Sequence, residues 1–231
     1  MGYVYEHVTH SWYDGTAPDH PATGKTNPKF TSYDTADRYS WLKAPRYGGE
    51  PMEVGPLARV LIAYAKGVPA VKTAVDDVLK ATGLSAGDLH STLGRVAARA
   101  IETKVVADAM DGWLAQLQTS QPISAAGSIP AKGMGMGLNE APRGALGHWI
   151  DMADGKISNY QMVVPSTWNL GPRCAAGKRG PVEQALLGTK VADPARPIEV
   201  LRVVHSYDPC LACAVHVIDK NRDREYTVDV E

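Results

Sequence analysis

The sequence predicts a mainly α chain with a small β-hairpin element. Three observations carry that reading. Apolar residues recur at helical spacing from Pro56 to about Leu117. An Asp-Gly pair, Asp154-Gly155, separates two alternating runs. Turn formers crowd the first 55 residues and leave little periodic pattern there.

The elements follow in order. Asp14-Gly15, Ala17-Pro18, His20-Pro21, Asn27-Pro28, Ala44-Pro45 and Gly48-Gly49 make residues 1–55 an irregular, partly extended stretch. Such a stretch usually packs on something else or belongs to a larger chain. Pro56 suits a first helical position, Leu57, Val60, Leu61 and Tyr64 share a face, and Gly67 suits the stop. A second helix is expected over about 70–80, with Val71, Ala74, Val75 and Val78 on one side and Gly83 ending it. A longer third helix starts near Ser85 or Ser91 and runs to about Leu117. Its apolar set is Leu93, Val96, Ala97, Ala100, Ile101, Val105, Ala109 and Trp113. Antiparallel packing through short loops suits such helices. Residues 119–136, rich in Ser, Gly, Pro and Ala, read as a loop. Runs 145–152 and 157–164 flank the Asp-Gly turn as a hairpin. Short helices follow near Pro181 and over about 198–207, and a charged, partly alternating tail begins at Val217.

Composition excludes several classes. The 24 basic and 25 acidic residues balance and no run of five like charges occurs, so a nucleic-acid partner is not expected. No stretch of eighteen apolar residues exists, and the first seven residues lack a signal-peptide pattern. The expectation is a chain that stays in the cytoplasm or is carried out by a partner. Ten Tyr and five Trp against one Phe lend weak support to a large interface. Three cysteines, Cys174, Cys210 and Cys213, are not a disulfide framework.

The most informative run is Asp208-Pro209-Cys210-Leu211-Ala212-Cys213-Ala214-Val215-His216. If Pro209 opens a helix, Cys210, Cys213 and His216 each advance by about 300° and share adjoining parts of one face. A helix start favours the thiolate that a soft metal needs. A zinc site would need Cys174 and His205 as further ligands, and neither has paired spacing. A redox pair of the thioredoxin kind needs a preceding strand, whereas a helix is expected here. A buried pair without metal is the plain alternative.

The run resembles the C-terminal signature of nickel–iron hydrogenase large subunits, closest to the membrane-bound uptake type. Other segments resemble motifs of that family in the same order. They are His10-Ser11-Trp12-Tyr13, Lys43-Ala44-Pro45-Arg46, Met52-Glu53-Val54-Gly55-Pro56-Leu57-Ala58-Arg59 and Ser91-Thr92-Leu93-Gly94-Arg95. Downstream come the long motif from Gly137 to Trp149, which contains Ala141-Pro142-Arg143-Gly144, and Val163-Val164-Pro165-Ser166-Thr167-Trp168-Asn169. The resemblance covers nearly the whole chain and implies the C-terminal part of the large-subunit fold.

It also implies roles. Nickel is held by four thiolates, two of them bridging to an iron that carries carbon monoxide and cyanide. Cys210 matches the terminal nickel ligand and Cys213 a bridging one. His216 matches a ligand of a nearby magnesium or iron, whose second ligand is a backbone carbonyl falling on Met162. Arg143 matches the guanidinium over the centre, and Asp208 is expected to pair with it or to hold a helix start. Pro142, Leu146 and Ser166 match the pocket around the diatomic ligands, Ser166 as the hydroxyl that contacts cyanide. Glu140 and His148 are weaker candidates, and Cys174 matches no ligand. The implied reaction is heterolytic cleavage of dihydrogen, with the proton passing to Cys210 or Arg143 and electrons leaving to an iron–sulfur small subunit. No iron–sulfur cluster motif occurs in this chain.

Two departures qualify this. No cysteine precedes Cys174, so the family's first Cys-x-x-Cys pair and its adjoining proton-relay glutamate have no counterpart. The expectation is a chain that lacks the N-terminal half of the large subunit and is inactive alone. Second, 15 residues follow His216. They resemble the precursor tail that a maturation endopeptidase removes between His216 and Val217 after nickel is loaded. The expected organisation is therefore 1–216 as large-subunit segment and 217–231 as tail, membrane-associated on the periplasmic face with its partner. The alternatives are a non-catalytic relative, which would have lost the cysteine run, and a stand-alone metal-binding module, which would bind nickel without a partner.

Overall fold

A computed structural model of the chain describes residues 2–15, 17–32, 37–124, 127–210, 215–219 and 224–228, the last two as backbone strands only. The first segment is extended rather than helical. Strand β1 (Val4–His7) pairs antiparallel with β2 (Ala44–Tyr47), and isolated bridges tie the intervening turns together. Arg46 on β2 is fully buried and donates to the carbonyls of Pro45, Pro172 and Lys178, fastening the loop after residue 171 to this ladder. Cys174, in that loop, is buried beside it. Burial alone would push its thiol up. Hydrogen bonds from the backbone of Ala176 and Lys178, with the Arg46 guanidinium, outweigh this and hold it below the ordinary value. It is a structural cysteine rather than a surface one.

Helices α1 (Pro56–Ala65), α2 (Pro69–Thr82) and α3 (Thr92–Ala115) form one unit around Leu57, Val60, Val75, Leu89, Ala98 and Ile101. Pro opens the first two at positions where a missing N–H costs nothing. Ser91 caps the third by accepting from the Gly94 N–H at 3.0 Å. Gly83 closes α2 in the left-handed conformation. The start of α3 settles at Ser91, because Ala86–Leu89 forms a separate 3-10 turn. The apolar stripe expected on α3 needs correction. Gly94, Ala98 and Ile101 face the core, while Leu93, Val96 and Trp113 are exposed. Small residues win the inner face because they let the neighbouring backbones approach closely.

The β element is larger than the hairpin expected from sequence. Strands β3 (Gly133–Ala141), β4 (Gly144–Ala153) and β5 (Lys156–Val163) form an antiparallel sheet in that order. Asp154 and Gly155 both take positive φ (52° and 71°), the two-residue turn that suits the twist of a hairpin. Residues 133–136, expected as loop, pair with 149–152 instead. The sheet packs on β1 through Val4, Trp149, Val163 and Trp168. Trp168 belongs to α4 (Pro165–Leu170), a short helix with no forecast in the sequence reading. Helices α5 (Pro181–Leu186) and α6 (Ile198–Ser206) pack together through Val182, Val203, Val204 and Tyr207. Strands β6 (Val215–Asp219) and β7 (Arg224–Val228) form a final hairpin. Among the described residues no helix is long and apolar enough to cross a membrane.

Candidate metal centre

The helix expected to open at Pro209 and carry Cys210, Cys213 and His216 falls largely on residues 211–214, which lie outside the described residues; its described end, at His216, is not helical. Residues 208–210 are non-helical, and His216 lies in β6. The chain leaves the helical path at Asp208, whose φ of 49° is left-handed and whose N–H closes on the His205 carbonyl at 2.9 Å. Asp208 therefore sits just past the end of α6.

Three separate pieces of chain meet around Cys210. The first is the end of α6, which delivers Asp208, Pro209 and Cys210. The second is the tight β3–β4 turn, which presents Pro142 and Arg143. The third is the start of α4, which carries Ser166. The Arg143 Nε–H donates to the Asp208 carbonyl at 2.9 Å and lies 3.3 Å from its carboxylate. The Cys210 N–H points to the Ser166 hydroxyl oxygen at 3.4 Å. The Cys210 thiol is exposed, and the Arg143 and Asp208 side chains are each 43% exposed. At that exposure the ion pair adds little stability, so its consequence is orientation.

Arg143 and Arg59 show two opposite uses of one side chain. Within the described residues only Nε of Arg143 is engaged, leaving both terminal nitrogens open to a ligand. Arg59, on α1, spends all five N–H donors on protein acceptors. It was part of a motif in the sequence but no role was assigned to it there. The same holds for Asn169. That buried amide donates to the Val54 carbonyl at 2.9 Å and accepts from the Val54 N–H at 3.0 Å, tying α4 to the segment that the Arg143 turn rests on. Neither role shows in local spacing, because the partners lie more than 40 residues away.

The end of α6 is fixed from α3. The Arg99 Nη2–H donates to the Ser206 carbonyl at 2.8 Å. Arg95 grips Glu53 through two 2.8 Å bonds and lies over the Tyr207 ring at 4.0 Å. Burial, with the Glu53 carboxylate, pushes the Tyr207 hydroxyl well above its usual value, so it stays protonated and donates to the Pro181 carbonyl. Glu53, Arg95, Lys178, Arg179 and Tyr207 line an adjoining open cleft of about 580 Å³.

The other expected residues fall around this cluster. Pro142 is exposed at the turn, and Leu146 lies on β4 opposite Asn139. Met162 lies on β5 opposite His148. His148 stacks on Tyr160 and Glu140 pairs with Arg59, which are structural contacts. Cys213 lies outside the described residues, as do the side chains of His216 and Val217. Among the described residues no three His, Cys, Asp or Glu side chains gather closely enough to hold a metal. Cys210 is thus one soft donor two residues from the Asp208 that Arg143 grips, and Arg143 keeps N–H groups without a partner among the described residues, a donor set that suits a thiolate-bound metal carrying anionic ligands.

Comparison with known proteins assigns the family. The nickel-dependent hydrogenase profile matches residues 2–216. The quinone-reactive Ni/Fe-hydrogenase large chain of Wolinella succinogenes is 41% identical across 98% of this chain and 44% of its own length. The hydrogenase-2 large chain of Escherichia coli is 42% identical, with 98% and 42% covered. The uptake hydrogenase large subunit of Azotobacter chroococcum is 45% identical, with 93% and 41% covered. The solved Ni-Fe-Se hydrogenase of D. vulgaris Hildenborough superposes with a TM-score of 0.79 at 37% identity, covering 92% of this chain and 45% of that one. The chain thus spans less than half the length of the relatives it matches. On the family match and on these identities, the chain belongs to the nickel-dependent hydrogenase family.

Proposed function

We propose that this chain supplies the C-terminal side of a nickel–iron centre that cleaves dihydrogen heterolytically, within a large subunit that passes electrons to an iron–sulfur small subunit. One observation carries the reading: an exposed Cys210 two residues after Asp208, the residue that Arg143 grips through Nε while its terminal nitrogens have no partner among the described residues, all on positions that match the family's signature. Cys210 and Cys213 would hold the metals, and the remaining two thiolates would come from polypeptide outside these 231 residues, since no cysteine precedes Cys174. The nickel–iron centre, when bound, supplies the Lewis-acid and redox chemistry for splitting dihydrogen.

The residues around it then divide the work. The Cys210 sulfur is the proton acceptor, because a guanidinium is already protonated and cannot serve as a base without first losing its charge. Arg143 keeps a fixed positive charge and two donors facing the centre, aimed by its Nε bond to Asp208. Ser166 uses an oxygen lone pair on the Cys210 N–H, so its own hydroxyl proton remains free for cyanide. Pro142 and Leu146 wall the diatomic ligands with apolar surface. His216 and the Met162 carbonyl would hold a magnesium or iron. That the family match ends at His216 supports cleavage of the His216–Val217 bond by a maturation endopeptidase. The names of the quinone-reactive and uptake relatives support a membrane-associated setting, for which the periplasmic face is the side proposed.

The test is nickel content and hydrogen turnover of the assembled enzyme. Cys210→Ser is expected to abolish nickel retention, and full occupancy in that variant would remove the assignment. Arg143→Lys keeps the charge and loses the planar fork. It is expected to retain nickel and to turn over hydrogen more slowly by roughly a hundredfold or more, the effect of removing one aimed donor. Unaltered turnover would remove its role.

A further inference from the structure

We propose that Arg59 is the positioning residue for Arg143; this rests on reading Arg143 as the group that faces the metal centre. Arg59 rises from α1 with its side chain 23% exposed. Its Nε–H donates to Glu102 Oε1 at 2.6 Å and one Nη2–H to Glu102 Oε2 at 2.7 Å, a two-pronged grip on α3. The other three donors go to the β3–β4 turn. Nη1 reaches Glu140 Oε2 at 2.8 Å and the Ala141 carbonyl at 3.0 Å, and Nη2 reaches the Pro142 carbonyl at 2.9 Å.

The Pro142 carbonyl belongs to the peptide whose N–H is that of Arg143. Arg59 therefore grips the peptide plane from which the Arg143 side chain departs. The turn is also pressed against the backbone at 54–55. A Cβ on Gly55 would lie 2.8 Å from the Arg143 carbonyl oxygen, and one on Gly144 would lie 2.7 Å from the Gly55 nitrogen. The turn is thus clamped between a saturated guanidinium on α1 and a backbone contact from the two residues that precede that helix.

The clamp matters because Arg143 has little else to aim it. Its one tether among the described residues, Nε to Asp208, reaches a different element that is itself fixed to α3 through Arg99 and Arg95. Helix α3 is thus the common reference. Glu102 sets the turn through Arg59, and Arg95 with Arg99 set the end of α6. A lysine at position 59 keeps the charge, but its three donors on one nitrogen cannot span Glu102 and two successive carbonyls.

The test combines two readouts. In the 231-residue chain, solvent exchange of the Arg143 Nε–H and of the 139–144 amides is followed by NMR in wild type, Arg59→Lys and Glu102→Gln. Exchange is expected to rise roughly tenfold or more in Arg59→Lys and less in Glu102→Gln, which keeps the packing and weakens only the two-pronged grip. Unchanged exchange in both variants overturns the proposal.

In the assembled enzyme, Arg59→Lys is expected to keep its nickel and lose roughly ten- to hundredfold in kcat, the scale of a displaced catalytic group. In the Arg143→Lys background the same change should cost nothing further. An equal loss in both backgrounds would mean that Arg59 acts through general structure, and would overturn the proposal. Wild-type enzyme without nickel or hydrogen turnover would instead defeat the functional reading. The exchange experiment would still decide whether Arg59 holds the turn.

Discussion

Alanine at Gly144 tests the clamp from its backbone side. Gly144 has φ 134°, outside the region that side-chain-bearing residues readily adopt, which costs about 1–3 kcal/mol for alanine. A Cβ there would meet Val54 Cγ2 at 2.6 Å, the Gly55 nitrogen at 2.7 Å and the Val54 carbonyl carbon at 2.9 Å. Two of these three atoms are backbone and cannot rotate aside. Relieving such overpacking costs about another 1–3 kcal/mol. The expected loss is therefore about 2–6 kcal/mol. That lowers Tm by about 4–24 °C in a chain of this size.

Gly155→Ala is the matched control. Gly155 also has positive φ (71°), but nothing lies within 4 Å of where its Cβ would stand. Its cost is the left-handed conformation alone, about 1–2 kcal/mol. Urea unfolding of the 231-residue chain, followed by tryptophan fluorescence and far-UV circular dichroism, measures both. Equal losses in the two variants would refute the reasoning, because they would mean that the 54–55 segment yields without resistance.

Asn169→Ala leaves the Val54 N–H and carbonyl without their partner, and is expected to destabilise by about 2–4 kcal/mol in the same urea assay. Asn169→Asp keeps the acceptor and loses the donor, so a loss as large as alanine's would show that the donor arm alone matters. The His7 imidazole gives a pH prediction. Burial first, and the Arg46 guanidinium second, hold its pKa below the ordinary 6.5. The unfolded chain then binds the proton more readily than the folded one. Stability is expected to fall as pH drops from about 7 through 6.5 to the lower folded value, and to level off below it. His7→Gln should flatten that part of the profile relative to wild type, and an identical slope in the two would show that His7 is not its source.

The parts of this molecule that could be read from sequence are those whose cause is local. Pro56, Pro69, Ser91 and Gly83 act within one turn of themselves, and the helices begin and end where they stand. Asp154-Gly155 fixes its hairpin by the same local logic. The misreadings share the opposite character. Gly133 to Met136 alternates glycine with methionine, which carries almost no strand preference, and becomes a strand only because β4 offers a register. On α3 the larger side chains were given the core, yet the close approach of neighbouring backbone assigns it to Gly94 and Ala98. The cysteine spacing and its proline suggest a helix reaching His216, where the described backbone is strand. The turn at Asp208 is set by contacts to Arg143, 65 residues earlier in the chain.

The candidate site divides along the same line. Residues that would touch a ligand carry distinctive chemistry and announce themselves: a thiol after a proline, an arginine in a glycine turn. Residues that aim them do not. Arg59 looks like any helical arginine until its acceptors are found on Glu102, Glu140, Ala141 and Pro142, between 43 and 83 residues away. A guanidinium with all five donors spent on the protein has none left for a ligand, so Arg59 is bound to structure by its own hydrogen bonds. A guanidinium tied only at Nε is free to act at its far end, which is the state of Arg143 among the described residues. Counting engaged donors separates the two arginines where charge and motif membership do not.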